Sequence, residues 1–237
     1  VELAYAAKSG DEDMIGSACE RLAALPEPRP AARLQLLGTC AELAEDFDRA
    51  IDWYGRIGKD DAEYTDARIR MAAVQIEQER FDAGRTTLEQ LRATGILRRE
   101  DLVRTYLLES ELASAEQEPR RSLDALDRGL AALPDDPDLL YARSLCHETL
   151  GDIAAAERDL RRLLEFDPDN ADALNALGYT LADNTRRYDE ALALIEKALR
   201  LKPDDAAILD SMGWVKFHLG EVDEAIVLLE AAYAKQA

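Results

Sequence analysis

Apolar residues recur three and four positions apart along the chain, as in the run YDEALALIEKALRL over 188–201. That period places them on one side of an α-helix, whereas a half-buried strand would need strict alternation. The pattern predicts helix after helix and essentially no strand. Prolines mark the breaks. Pro134, Pro168 and Pro203 sit in similar surroundings, LAALPDDPDLL, LLEFDPDNADALNALG and ALRLKPDDAAILDSMG, at separations of 34 and 35 residues. Each proline stops one helix, and the polar residues after it, Asp169 and Asn170 or Asp204 and Asp205, offer side-chain oxygens to cap the next. Helices are therefore expected to begin near Asp138, Asp172 and Ala206.

A period of this length is what two helices of about a dozen residues and two tight turns occupy. On that frame Gly178 and Gly213 hold a small position in the first helix of a pair, where the second packs closely. Gly151 and Gly220 fall in the turn between them. A small residue then recurs early in the second helix, at Ala50, Ala83, Ser122, Ala156, Ala191 and Ala225, with separations of 33, 39, 34, 35 and 34. The fragments FDRA, FDAG, YDEA and VDEA around these positions, and KALRLKP at a helix end, resemble the tetratricopeptide repeat (TPR) family. The resemblance is strong over 103–237 and looser over 31–102. It implies an all-α fold, a right-handed superhelical solenoid of antiparallel helix pairs.

The repeats divide at 31–63, 64–102, 103–136, 137–170, 171–205 and 206–237, two divergent ones followed by four. Residues 1–30 fit the end of one first helix plus a second helix, with Gly10-Asp11 matching Gly151-Asp152. The prolines of residues 26–30 either widen one turn between repeats or form a hinge between two superhelical segments. The 39-residue interval carries its extra residues near 95–99, a candidate bend. The stretch 225–233 reads as an ordinary core helix and not as a polar cap, so the chain is expected to be one continuous solenoid cut from a longer protein.

Hydrophobic residues make up 47% and charged residues 33% of the 237, with only 12 Gly and 8 Pro, a composition suited to helices. The 29 Lys and Arg against 49 Asp and Glu give a net charge of −20, which repels a phosphate backbone and argues against nucleic acid. The longest apolar runs, such as 225–229, fall far short of the ~20 residues of a membrane-spanning helix. No membrane contact is expected from this segment.

Catalytic and metal chemistry find little support. His147 and His218 stand two repeat periods apart and would need neighbouring Cys or carboxylates to hold an ion. Cys19, Cys40 and Cys146 form no CxxC pair and say little about redox compartment. Cys40 and Cys146 share one repeat position, where a thiol packs as a small hydrophobe. No phosphate-cradling glycine loop or GxSxG elbow occurs. The reading is a non-enzyme without cofactor or metal.

The family resemblance further implies that the first helix of each pair lines a concave binding face. The positions projecting into it hold Asp138, Tyr141, Leu145, Glu148 and Thr149; Asp172, Asn175, Tyr179, Ala182 and Asp183; then Ala207, Asp210, Trp214, Phe217 and His218. Of these Tyr141, Leu145, Asp172, Asn175, Tyr179, Asp183, Asp210, Trp214 and Phe217 are the candidate partner-binding residues. Aromatics supply contact area at small entropic cost, and acids beside them favour Lys or Arg on the ligand. For Trp214 and Phe217, packing against a further repeat is an equally good reading. Some TPR domains clamp an acidic C-terminal peptide with cations at these positions; acids and aromatics stand there in this chain, which disfavours such a ligand.

The stretch 171–235, with LNALGYTLAD, an extra residue before YDEA and then DSMGWV, is similar to the C-terminal repeats of large proteobacterial TPR lipoproteins. That narrower resemblance implies a periplasmic protein held at the outer membrane by a lipid on a cysteine before Val1. It further implies an adaptor for a carboxyl-terminal processing protease and its protein substrates. A cytoplasmic TPR scaffold, or the repeat domain of a larger enzyme, are the alternative readings.

Overall fold

The computed structural model describes residues 12–26 and 30–236. The expected turn at Gly10-Asp11 and the middle of the proline-rich segment lie outside the described residues. Among those described there are thirteen helices and no strand. One compact unit holds α1 (Glu12–Ala24), α2 (Ala31–Leu43), α3 (Phe47–Gly55), α4 (Tyr64–Glu77), α5 (Phe81–Ala93) and α6 (Arg99–Ala115). A second holds α7 (Pro119–Ala132), α8 (Pro137–Thr149), α9 (Ile153–Phe166), α10 (Ala171–Thr185), α11 (Tyr188–Leu201), α12 (Ala206–His218) and α13 (Val222–Gln236).

Within the first unit α2 packs on α3 and α4 on α5; within the second, α8 packs on α9, α10 on α11 and α12 on α13. Two or three residues join the members of each pair, so they run antiparallel. The second helix of a pair also touches the first helix of the next, as α9 does α10 and α11 does α12. The starts of α8, α10 and α12 fall within one residue of the sequence expectation, and their caps explain why. Asp136, Asn170 and Asp205 accept backbone N–H bonds from Leu139, Ala173 and Ile208 at 3.4, 2.9 and 3.1 Å. Each satisfies a donor that the first helical turn leaves unpaired.

The first helices end by a common device. One residue turns left-handed: Glu45, Glu79, Gln117, Gly151, Arg186 and Gly220 have φ of 55°, 55°, 60°, 77°, 58° and 84°. At all but Arg186, the next N–H reaches back five residues to a helix carbonyl, as Arg80 does to Gln75 at 2.8 Å and Asp152 to His147 at 2.9 Å. Glycine adopts this conformation freely, yet four of the six positions carry a side chain.

Close approach between paired helices accounts for Gly178 and Gly213. A Cβ on Gly178 would lie 2.5 Å from Ile195 Cγ1 and 3.1 Å from the Ala191 carbonyl oxygen; one on Gly213 would lie 2.7 Å from Leu229 Cγ. The facing Ala50, Ser122, Ala156, Ala191 and Ala225 are all buried. Ala83 is a correction. It is exposed, and the buried small residue in α5 is Gly84, where a Cβ would meet Ile76 at 3.1 Å and Leu112 at 3.4 Å. The fourth residue of FDAG, not the third, matches the alanine of FDRA. The extra residues of the long interval form the 94–98 link, with Gly95 at φ 70°, and lengthen α6 to 17 residues.

Cys40 needs a second correction. It is buried, but it is bonded to Cys19, with 5.7 Å between the Cα atoms, so a disulfide ties α1 to α2. The core-packing reading holds for Cys146 alone, whose free thiol donates to the Pro119 carbonyl oxygen at 3.2 Å and is pushed up in pKa by burial. The two cysteines share a repeat position, but only α1 presents another cysteine across from it. Arg33 completes the attachment of α1. Its guanidinium donates to carbonyl oxygens of Leu22 at 3.0 Å, Ala23 at 3.3 Å, Pro26 at 2.7 Å and also Leu25, closing the end of the helix where unpaired acceptors gather.

Candidate partner-binding face

The second unit carries all nine candidate residues, on its first helices. Tyr141 and Leu145 belong to α8, where Glu148 joins them; Asp172, Asn175, Tyr179 and Asp183 belong to α10; Asp210, Trp214 and Phe217 to α12. Spacings of three and four put each set along one stripe of its helix. Ala182 does not belong with them. It is 1% exposed and belongs to the buried core, as does the adjacent Leu181.

Three groupings emerge. In the first, Tyr141 is half-buried, and its phenol is raised in pKa by burial and then by the carboxylates of Asp172 and Glu148, with Lys202 opposing. Lys202 Nζ donates to both oxygens of Asp172, at 2.8 and 2.9 Å. Asp172 is therefore locally neutralised. The sequence reading missed Lys202, although it lies in the KALRLKP motif at the end of the same repeat as Asp172.

Tyr179 forms the second grouping. Its side chain is 37% exposed, and its phenol is raised by burial and then by Asp183, Glu148 and Asp210. Glu148 itself is raised, by burial first and by Asp183 in addition, while the Thr180 hydroxyl donates to it at 3.2 Å and pulls the other way. Among the described residues no Lys or Arg forms an ion pair with Glu148, Asp183 or Asp210. This patch of α8, α10 and α12 carries uncompensated negative charge around an exposed aromatic ring.

The third is aromatic. Trp214 stacks on Phe217 with centroids 6.2 Å apart and meets His218 edge-on at 4.6 Å. Tyr188, at the start of α11, stacks on His218 at 5.1 Å, and its hydroxyl lies 3.3 Å from His218 Nδ1. Trp214 and Tyr179 share a repeat position but make no ring contact; Trp214 engages its own helix neighbours instead. Tyr188 escaped the sequence reading because it was assigned to the opening motif of a second helix. Leu145 and Phe217 leave 42% and 51% of their surface exposed. Asn175 Oδ1 and Trp214 Nε1 are buried without a hydrogen-bond partner among the described residues, each at a cost of about 1–3 kcal/mol.

This geometry suits recognition by surface contact: apolar area at Leu145 and Phe217, and an anionic patch at Tyr179. Among the described residues no group of three or more His, Cys, Asp or Glu is placed to hold a metal ion.

Comparison with known proteins agrees with the helical pairing. Sequence profiles of the tetratricopeptide repeat match residues 107–171 and 147–206, and others described in the same words match 41–95 and 185–237. The TPR repeat-containing protein PA4667 of Pseudomonas aeruginosa is 41% identical over 189 residues, 80% of this chain and 31% of that protein. The chain thus spans about a third of that relative's length. Among solved structures, the APC/C hetero-tetramer Cut9-Hcn1 matches with a TM-score of 0.65 at 17% identity, covering 98% of this chain and 45% of that one. YrrB, described as a TPR protein with an unusual peptide-binding site, matches with a TM-score of 0.52 at 19% identity, covering 82% and 95%. The profiles together account for most of the chain, and it belongs to the tetratricopeptide-repeat family.

Proposed function

We propose that this chain is a non-catalytic protein-interaction module. In the full-length protein it is a periplasmic adaptor tethered to the outer membrane, gathering a carboxyl-terminal processing protease, its protein substrates, or both. The observation that carries the binding reading is the face of α8, α10 and α12, where exposed Tyr179, Leu145 and Phe217 stand beside Glu148, Asp183 and Asp210, which no Lys or Arg among the described residues neutralises. A partner segment with apolar side chains and Lys or Arg fits that surface. Two observations support the compartment. The Cys19–Cys40 disulfide belongs to oxidising surroundings such as the bacterial periplasm. The motifs shared with proteobacterial TPR lipoproteins lie within two of the three repeats that form the face, those of α10 and α12.

Titration of the chain with a purified carboxyl-terminal processing protease tests the partner. Saturable binding is expected, and the doubly substituted Tyr179→Ala, Trp214→Ala chain should lose roughly 2 kcal/mol or more while keeping its helical circular dichroism. Full affinity in that folded variant would move the site off this face, and absence of binding to the wild-type chain would remove the protease. The compartment is tested by trapping thiols in intact cells. One alkylatable cysteine of the three is expected, Cys146 after unfolding; three would overturn the periplasmic reading.

A further inference from the structure

A cavity of about 340 Å³ opens in the first unit between α1, α2 and α3. Its volume lies at the lower end of the range for ligand sites, roughly 300–1,000 Å³, enough for a large side chain or two and too small for a helix. Leu37, Ala41, Trp53 and the Cys19–Cys40 disulfide supply an apolar lining, and the short side chains of Ala23 and Ala44 leave the space unfilled. The walls are fixed in advance, by the disulfide in the middle of α1 and by Arg33 on the carbonyls at its end. A preformed wall spares a ligand the cost of ordering it.

The mouth has a definite charge. Asp46, Glu20 and Arg49 stand around it. Asp46 caps α3 by accepting the Arg49 backbone N–H at 3.3 Å, and the Arg49 guanidinium lies over the Trp53 ring, 5.9 Å from its centroid. Glu20 is exposed, with no ion-pair partner among the described residues. Arg56 also lies over Trp53, 4.5 Å from its centroid, but is paired with Asp52 at 2.8 Å, so the lining keeps two carboxylates against one guanidinium and, on a chain of net charge −20, favours a cation.

We propose that this cavity is a second docking site, which receives an apolar side chain of a partner protein segment with Lys or Arg next to it. It belongs to the first unit and does not depend on the face of α8, α10 and α12 being a binding site. The sequence has two tryptophans, Trp53 at the cavity and Trp214 on that face, so their indole N–H signals in the full chain report the two places separately. The probes are acetyl-leucyl-lysine amide, acetyl-leucyl-glutamate amide and acetyl-seryl-lysine amide. A saturable shift of Trp53 is expected with the first, about fivefold or more tighter than with the second, and none with the third. Ala44→Phe should plug the cavity and abolish the shift; Glu20→Lys, at an exposed position that leaves folding intact, should cancel the preference for lysine. An unmoved Trp53 signal, equal affinity for the lysine and glutamate probes, or an unchanged preference in Glu20→Lys overturns the proposal. A shift of Trp214 alone overturns it too, while upholding the other face.

Discussion

Ala191 faces Gly178 with no atom to spare: it is fully buried, and its carbonyl oxygen would lie 3.1 Å from a Cβ on the glycine. A leucine at Ala191 or Ala225 is expected to lower unfolding free energy by about 1–3 kcal/mol through overpacking. The exposed Ala193→Leu should change it little. Urea unfolding compares them, and an unaltered midpoint in Ala191→Leu contradicts the close packing. Glu148 offers a pH test. Its carboxyl is raised above its usual 4.5 mainly by burial, so the native chain binds more protons than the unfolded one between the two values. Stability therefore falls as pH rises through that window, and the loss is complete above the native pKa. Glu148→Gln keeps an acceptor for Thr180, so it should melt higher than the wild type at neutral pH, with the gap closing below pH 4.5. A gap that persists in acid would point to packing instead. At this scale the sequence was a partial guide. It singled out Gly178 and Ala191, because size is a property of the residue alone, but it misread Cys40, because a disulfide depends on what another helix places opposite.

The helix ends were the most legible elements, since their signals are local. The capping residues Asn170 and Asp205 put the starts of α10 and α12 in place. The turns between paired helices were read only where glycine announced them. Glu79 and Gln117 adopt the same left-handed backbone as Gly151 and Gly220, at φ of 55° and 60°, and no residue type marks them. A side chain in that conformation costs roughly 1–2 kcal/mol, from which the greater freedom of glycine in the unfolded chain subtracts part. Glu79→Gly or Gln117→Gly is accordingly expected to stabilise by on the order of 0.5–1 kcal/mol, and Gly220→Ala to cost about 1 kcal/mol. Thermal melts with the opposite signs would show the turns to be strained in some other way. For α1 the decisive constraint is covalent. The disulfide closes a loop with a sequence separation of 21, worth about 3 kcal/mol by loop-closure entropy. Cys19→Ser with Cys40→Ser should therefore lower amide-exchange protection in α1 and α2 while leaving that of α8 to α13 unchanged. Equal loss in both units would mean that they unfold as one.

For the whole molecule, the helical repeat was readable from period alone, because one structural solution is written many times over. Which helices gather into each compact unit is set by packing that no single repeat encodes. The candidate face lies between these cases. Tyr179 and Trp214 recur at one repeat position, which Leu145 holds a repeat earlier, yet the surroundings of the face are set by neighbours that the period does not mark: Lys202 on Asp172, and Tyr188 and His218 beside Trp214. Such neighbours change what the face does with the net charge of −20. A basic partner is drawn by the field of the whole chain and then guided by the acids nearest its landing place, so association should slow as salt screens them. Asp183→Asn and Asp210→Asn remove charge that no Lys or Arg among the described residues balances, and together they should slow association about two- to fivefold at low ionic strength. Lys202→Met acts in the opposite sense. It strips the counter-charge from Asp172, enlarges the negative patch toward Tyr141 and should speed association of the same partner, with a steeper dependence on salt. Asp172→Asn, despite changing net charge as Asp183→Asn does, also leaves the Lys202 ammonium bare in front of a cationic ligand, and is expected to be the slowest of the single variants. Stopped-flow mixing with the partner at two ionic strengths ranks all of them. If Lys202→Met and Asp172→Asn bind at the wild-type rate while the Asp183 and Asp210 variants are slow, the ligand's basic residues meet the Tyr179 patch alone and do not extend to Tyr141.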